Sequence, residues 1–507
     1  MEFRELDREE NSLPTTDKTW LHELSSEDIL RAFKALGIDE LWFVIGVSQD
    51  NSKNQVRLAS DPSDLAMFGP ADPIPEQSTS RKKRASDNVF HLDLDFYWLD
   101  YNFTPSPAPG AQLVYYPQYP EVRFTGFLKG CRAAPNHLFS YEHRAPGKVV
   151  FFGCRTKNHP GEHGPFKEVF ALAIPHDARA ANWFRNQFDN AEKVGKRLAR
   201  LPIDPQQPLN SRTTLLQNLQ DFRSPWRQAM RMTQTGPIPC KTGANNSAGL
   251  HLEYLFGIES NSIPGPDYLD WELKARKVLK PDAPLGSTRQ TVFTPDPDGG
   301  AYLDMDLVDF VQKWGYKNEK PKYAGKRWDI TASGMRIGYG HKRLPNMELR
   351  LNGYHSEKRI DVNGALELVD LTTDTIAASW SFSRMLAHWQ RKHARTAYVP
   401  MVHRFSEQGN DEFRVGDLIH IGEGSKFTHL IKSFANGSSY WDPGIHVTQQ
   451  ENGKWSRKMR SQFRCNARNL PDLYESWEII DLSKTSFHTE DFRNDNEYSI
   501  FNNPKGT

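Results

Sequence analysis

"GPDYLDWELKAR", Gly265 to Arg276, sets Asp267, Asp270, Glu272 and Lys274 close together in one short stretch. A Pro-Asp pair opens it and a Glu-x-Lys strand closes it. Alternation along a strand puts Glu272 and Lys274 on one face and Leu273 on the other. Taken alone, Glu-x-Lys describes any solvated strand carrying an ion pair. The surroundings favour chemistry instead. Upstream, "GLHLEYLFGI" reads as a short helix with Leu250, Leu252 and Leu255 among its apolar positions, and it carries Glu253. Two carboxylates from different elements can hold Mg²⁺ through oxygen. Such an ion polarises a scissile phosphate and acidifies a bound water. A lysine on the same face can orient or deprotonate that water and neutralise charge on the phosphate.

The bulk composition sets the limits. The chain has 507 residues, enough for two or three domains with proper cores. Its net charge of +1 means that an anionic partner must meet local basic patches. Aromatic content of 12% and charged content of 25% describe an ordinary globular protein rather than a disordered one. There is no apolar run of membrane-spanning length, and "MEFRELDREENSLPTT" has no signal-peptide core, so a cytoplasmic location is expected. Cys131, Cys154, Cys240 and Cys465 form no close pair, as in a reducing compartment. Cys154, His159 and His163 have tolerable zinc spacing, but a second nearby cysteine is missing and a polar loop is the better reading.

The pattern along the chain divides it into a strand-rich N-terminal domain, residues 1–205, and a second domain, residues 206–507. In the first, "SSEDILRAFKALG" is a helix that Ser26 can cap and Gly37 ends. Strands are expected at "ELWFVIGV", "VFHLDLDFYWLDY", "AQLVYYPQ", "KVVFFGC" and "VFALAIP". Residues 51–88, with "RKKR" at Arg81–Arg84, read as a long polar loop. Helix is expected from "HDARAANWFRNQF", where Asp177 is a plausible cap, to "GKRLARL", and then a proline-rich linker at Leu201–Asn210. A second helical stretch, "SRTTLLQNLQDFRSPWRQAMRM", follows. Further on, "NMELRLNG" alternates, "RIDVNGALELVDL" reads as a hairpin turning at Asn363–Gly364, and "SWSFSRMLAHWQRKHAR" is a helix. A central sheet flanked by helices, α/β or α+β, assembles these pieces.

At this point the residues carry a resemblance. "ANNSAGLHLEYLFGIESNSIPGPDYLDWELKAR" resembles the active-site region of the MvaI/BcnI family of type II restriction endonucleases, MutH-like members of the PD-(D/E)xK nucleases. "RQTVFTPDP", "FVQKWGYKNEK", "YWDPGIHV" and "RSQFRCNARNLPDLYESWEII" follow in the family's order, from about Gln217 to Leu482. The resemblance implies metal-binding carboxylates at Asp267 and Glu272, a catalytic lysine at Lys274 and a supporting helix glutamate at Glu253. Asp270 has no family role and reads as structural. The implied cofactor is Mg²⁺, with Mn²⁺ as a substitute. The implied partner is double-stranded DNA, beside a cognate DNA methyltransferase or other defence-system proteins, and the implied state is a monomer off the membrane.

Basic residues that could meet DNA form several groups. Arg384, His388, Arg391 and Arg395 recur at helical spacing. Lys317, Lys320, Lys322, Lys326 and Arg327 interleave with Tyr316 and Tyr323. "KWSRKMRSQFRCNAR" adds Arg457, Lys458, Arg460, Arg464 and Arg468. Such clusters suit phosphate neutralisation, and each is also compatible with a solvated face. By resemblance, Arg460 and Arg464, with His446 behind them, would read a G/C-containing site. In the first half "YPEVRFTGFLKGCRAAPNHLF" offers Arg123, either in a recognition loop or on an ordinary strand. The expected function is an Mg²⁺-dependent DNA endonuclease in restriction or antiphage defence. The alternatives are a MutH-like strand nickase, a partner-activated defence nuclease, or a non-catalytic DNA-binding protein on a nuclease scaffold.

Overall fold

The computed structural model describes residues 19–46, 56–77, 88–139, 146–157, 166–195, 197–203, 210–259, 266–286, 288–323, 325–331, 334–357, 359–391 and 393–485. His159, His163, the Arg81–Arg84 tetrad and most of the proline-rich linker lie outside them. The fold is mixed α/β and rich in strand. Among the described residues no helix is long and apolar enough to cross a membrane.

In the N-terminal half, Glu40–Ile45 buries Leu41, Trp42, Phe43 and Val44 in succession, a pattern that needs cover on both faces. It lies inside a seven-stranded sheet ordered Lys193–Val194, Leu198–Pro202, Glu40–Ile45, Val149–Lys157, Phe166–Ile174, Asp95–Leu99 and Pro105–Pro107. A five-stranded sheet, ordered Val56–Ala59, Glu121–Thr125, Gln112–Tyr116, Asn88–Asp93 and Ile74–Gln77, packs against it. The seam is aromatic: Phe124 of the smaller sheet meets Phe96 and Phe152 of the larger, with ring centroids 4.9 and 5.9 Å apart. Burying each such ring contributes about 1.5–3 kcal/mol.

Several sequence expectations need correction here. "VFHLDLDFYWLDY" is two strands in different sheets, broken at Leu94, whose amide donates to Ala111 O. "GKRLARL" is extended over Leu198–Pro202, because Arg200 pairs with both Glu40 and Glu192 beneath the surface. The polar segment 51–88 contains Val56–Ala59, a 3₁₀ turn at Pro62–Phe68 and Ile74–Gln77. Ser25, not Ser26, caps the first long helix in a capping box with Asp28. Asp177 caps nothing; the Ala181–Asn190 helix starts from Ala180. The second helical stretch ends at Asp221 and continues as strands Arg227–Gln228 and Met230–Thr233.

The second half is built on a six-stranded sheet. Arg395–Phe405 runs parallel to Glu272–Val278 and antiparallel to Asp411–Val415 and Leu418–Ser425, with Tyr474–Asp481 and Arg227–Gln228 outside. Leu273, Ala397, Val399 and Met401 turn into a core with Leu215, Leu219 and Leu252 from two helices. That leaves Glu272 and Lys274 on the opposite face. Arg359–Asp370 is one continuous strand, and its reversal to Met347–Ser356 lies beyond the Ser356–Arg359 pair. Asn363–Gly364 therefore does not turn. Gly364 is there for close approach: a Cβ would lie 2.4 Å from the Phe382 ring and 2.6 Å from Asn352 O.

The two halves share apolar packing. Phe90 meets Phe427 edge-on at 6.1 Å, and the buried Asp61 carboxylate accepts the Phe427 amide at 2.8 Å. Neighbouring Asp64 has its carboxyl pushed up to about 7, first by burial and then by the Asp61 and Glu475 carboxylates. The unfolded chain releases that proton near pH 4. Between those values the folded state therefore binds more protons, and stability falls as pH rises.

Two outcomes follow for denaturant titrations. Asp64→Asn gains stability over wild type as pH is raised from about 5 to about 8, reaching on the order of a few kcal/mol. Gly364→Ala loses about 1–3 kcal/mol to overpacking at any pH.

Candidate active site

Three elements bring the sequence-predicted acidic residues to one place. The Ser247–Leu255 helix carries Glu253 and is ended by Gly257 at φ +69°, with Ile258 N donating back to Glu253 O at 2.9 Å. On the inner side of the helix, His251 is fully buried and accepts the Met230 amide at 3.1 Å. Burial pushes its imidazole down to about 4, so it is a neutral packing group.

The second element is a tight turn from Tyr268 to Trp271, closed by reciprocal backbone bonds of 2.9 and 3.0 Å. Leu269 sits in it at φ +54°, a left-handed conformation that costs a leucine about 1–2 kcal/mol. The turn folds Asp267 back onto the strand, where its Oδ2 accepts the Leu273 amide at 2.9 Å. The third element is the strand itself. Glu272 is 3% exposed and pairs directly with Lys274. Burial works against the Lys274 charge, but Glu272, Asp267 and Glu253 outweigh it and hold the ammonium above its ordinary range.

Sequence reading missed the floor of this site. Tyr398 stands in register with Lys274, and its hydroxyl lies 3.0 Å from that of Tyr474. Burial raises both phenols, Tyr474 to about 12, and the Glu272 carboxylate adds to the effect. Both remain neutral hydrogen-bonding groups. Their signal could be read only after strand pairing was known.

Asp270 points away from this cluster and meets Arg395 at 2.6 Å. Arg395 is therefore not the end of a basic helical stripe. The helix covers only Phe382–Gln390, and Arg395 opens the next strand as a buried cation among Asp270, Glu192 and Glu423.

The donor set suits a hard, hydrated cation. Among the described residues no three His, Cys, Asp or Glu side chains converge on a metal position. Two carboxylates leave room for waters and phosphate oxygens, which is how Mg²⁺ is ordinarily held.

The candidate DNA-binding residues are dispersed. Arg460 is exposed beside a turn, with Gly444 N donating to its carbonyl at 2.9 Å, and Arg464 reaches Asp442 of the same turn at 3.1 Å. His446 is half-buried and in register with Asp329 and Lys458; burial and then Arg327 lower its imidazole. Arg384 bonds to Asp296 O, Arg391 pairs with Asp72, and burial pushes His388 down to about 4. Arg123 lies on the five-stranded sheet, 2.7 Å from Glu121 and over the Tyr116 ring. Arg327 is tied to Asp329 and stacked on Tyr323.

Comparison with known proteins gives three results. Residues 228–474 match the model of the MvaI/BcnI restriction endonuclease family. Among solved structures, a restriction endonuclease MvaI–cognate DNA substrate complex is 18% identical with a TM-score of 0.39, covering 53% of this chain and 96% of that one. MvaI in the absence of DNA is 18% identical with a TM-score of 0.31, covering 55% and 99%. No curated protein gives a significant match.

Proposed function

Because residues 228–474 match the model of the MvaI/BcnI restriction endonuclease family, we propose that this chain is a DNA endonuclease that cuts double-stranded DNA at a short, G/C-containing site with Glu253, Asp267, Glu272 and Lys274. The observation that carries the assignment is a partly buried lysine paired with Glu272 and lying within the electrostatic reach of Asp267 and Glu253. Asp267 and Glu272 would hold Mg²⁺, or Mn²⁺ in its place, and Glu253 would support a bound water. When bound, the ion supplies charge stabilisation and a more acidic water.

The chain's own residues do the rest. Lys274 pairs with Glu272 and is held as a cation by the surrounding carboxylates, so it offers a donor and a positive charge against the developing phosphate charge. The Leu273 amide fixes Asp267 and keeps its carboxylate oriented. Hydrolysis leaves a 5′-phosphate and a 3′-hydroxyl. Arg460, Arg464 and His446, with Arg384, Arg391 and Arg123, are proposed to meet the DNA; Arg464, Arg391 and Arg123 would exchange their pairs with Asp442, Asp72 and Glu121 for phosphate. Residues 1–205 are proposed to help select the DNA or regulate cutting, in a restriction or defence role.

Supercoiled plasmid, methylated and unmethylated, incubated with Mg²⁺ is expected to give linear product. Lys274→Ala should bind DNA but cut at least about 100-fold more slowly. Persistent open-circular product would assign a strand nickase. Wild-type protein that binds every plasmid and cuts none would refute the assignment.

A further inference from the structure

The turn that sets Asp267 against Glu272 is closed by its own backbone bonds and also touches the N-terminal half. Leu269 holds an unfavourable φ, and a cavity of about 420 Å³ opens beside it, lined by Leu269, Asp270, Trp42, Asp64 and Gly195 among others. On this side, among the described residues, the turn meets charged groups of the N-terminal half.

Those contacts start at Glu192, which joins the Ala181–Asn190 helix to the edge of the seven-stranded sheet. Its carboxylate pairs with Arg395 and accepts both the amide and the hydroxyl of Ser211, at 3.1 and 2.8 Å. Arg395 then grips Asp270 at 2.6 Å, donates to Lys193 O at 3.3 Å and pairs with Glu423 at 3.2 Å. The Ser211 hydroxyl in turn accepts the Trp271 indole N–H at 3.1 Å. One N-terminal carboxylate thus reaches two successive residues of the turn, Asp270 through Arg395 and Trp271 through Ser211. The next residue is Glu272.

We propose that Glu192, Arg395 and Asp270 are positioning residues through which the N-terminal half sets the spacing of the Asp267 and Glu272 carboxylates. The proposal rests on the reading of those two carboxylates as the metal ligands. A buried ion network adds little to stability compared with apolar packing, but it is strict about geometry, since a displaced charge is left uncompensated. Groups that orient ligand carboxylates act in this way on metal affinity. The N-terminal half therefore contributes to the active site as well as to DNA selection.

The test uses the full-length chain carrying Glu192→Gln, Asp270→Asn or Lys274→Ala. Mn²⁺ binding is followed by electron paramagnetic resonance, the Mg²⁺ dependence of cleavage is measured, and DNA affinity is measured separately. Glu192→Gln and Asp270→Asn should each weaken Mn²⁺ binding and raise the Mg²⁺ requirement about 10–100-fold, with DNA affinity unchanged. Asp270 is 29% exposed, so Asp270→Asn carries the test if Glu192→Gln fails to fold. If Lys274→Ala is inactive while the folded positioning variants bind Mn²⁺ as wild type does, the inference is overturned and the catalytic reading stands. If Lys274→Ala cuts as wild type does, the catalytic reading fails and the inference with it.

Discussion

The hydrogen bond from the Leu273 amide to the Asp267 carboxylate is the constraint on which the site depends. It holds Asp267 toward the strand against the repulsion between like charges. With it, the turn must close between Tyr268 and Trp271, and Leu269 must accept a positive φ. Lys274 then faces more negative charge than it can neutralise alone. A site with that imbalance favours a further cation, and a hydrated divalent ion suits carboxylate oxygens.

The rest of the molecule serves this geometry from two sides. Behind the strand, Leu273 and the alternate residues of Arg395–Phe405 anchor the sheet to its helices, so the charged face cannot rotate. Beside the turn, the N-terminal half contributes Glu192, and its Asp61 takes the Phe427 amide across the same junction. Apolar packing between Phe90 and Phe427 keeps that junction together. The N-terminal half is thus structurally continuous with the strand that carries Arg395.

Much of this was legible in the sequence, for physical reasons that differ by residue. Glu272 and Lys274 could be placed on one face because strand alternation is a local property. Asp270 could be set aside because its offset put it on the other side, and its bond to Arg395 agrees. Arg395 itself was misplaced. Its spacing after Arg384, His388 and Arg391 mimicked a helical stripe, while the true helix end depends on strand pairing far away in sequence. Asn363–Gly364 misled in the same manner, since the glycine answers to the Phe382 ring rather than to a turn. "GKRLARL" looked helical, but its Arg200 is sequestered by Glu40 and Glu192 in a strand, which no local pattern reveals. The tyrosine floor was invisible for the same reason.

The most direct measurement is an anomalous difference map from crystals of the full-length chain with Mn²⁺. The expected result is a peak coordinated by the carboxylates of both Asp267 and Glu272, on the side facing Lys274. A peak on other carboxylates, in protein that still cuts DNA when Asp267 is replaced by alanine, would contradict it.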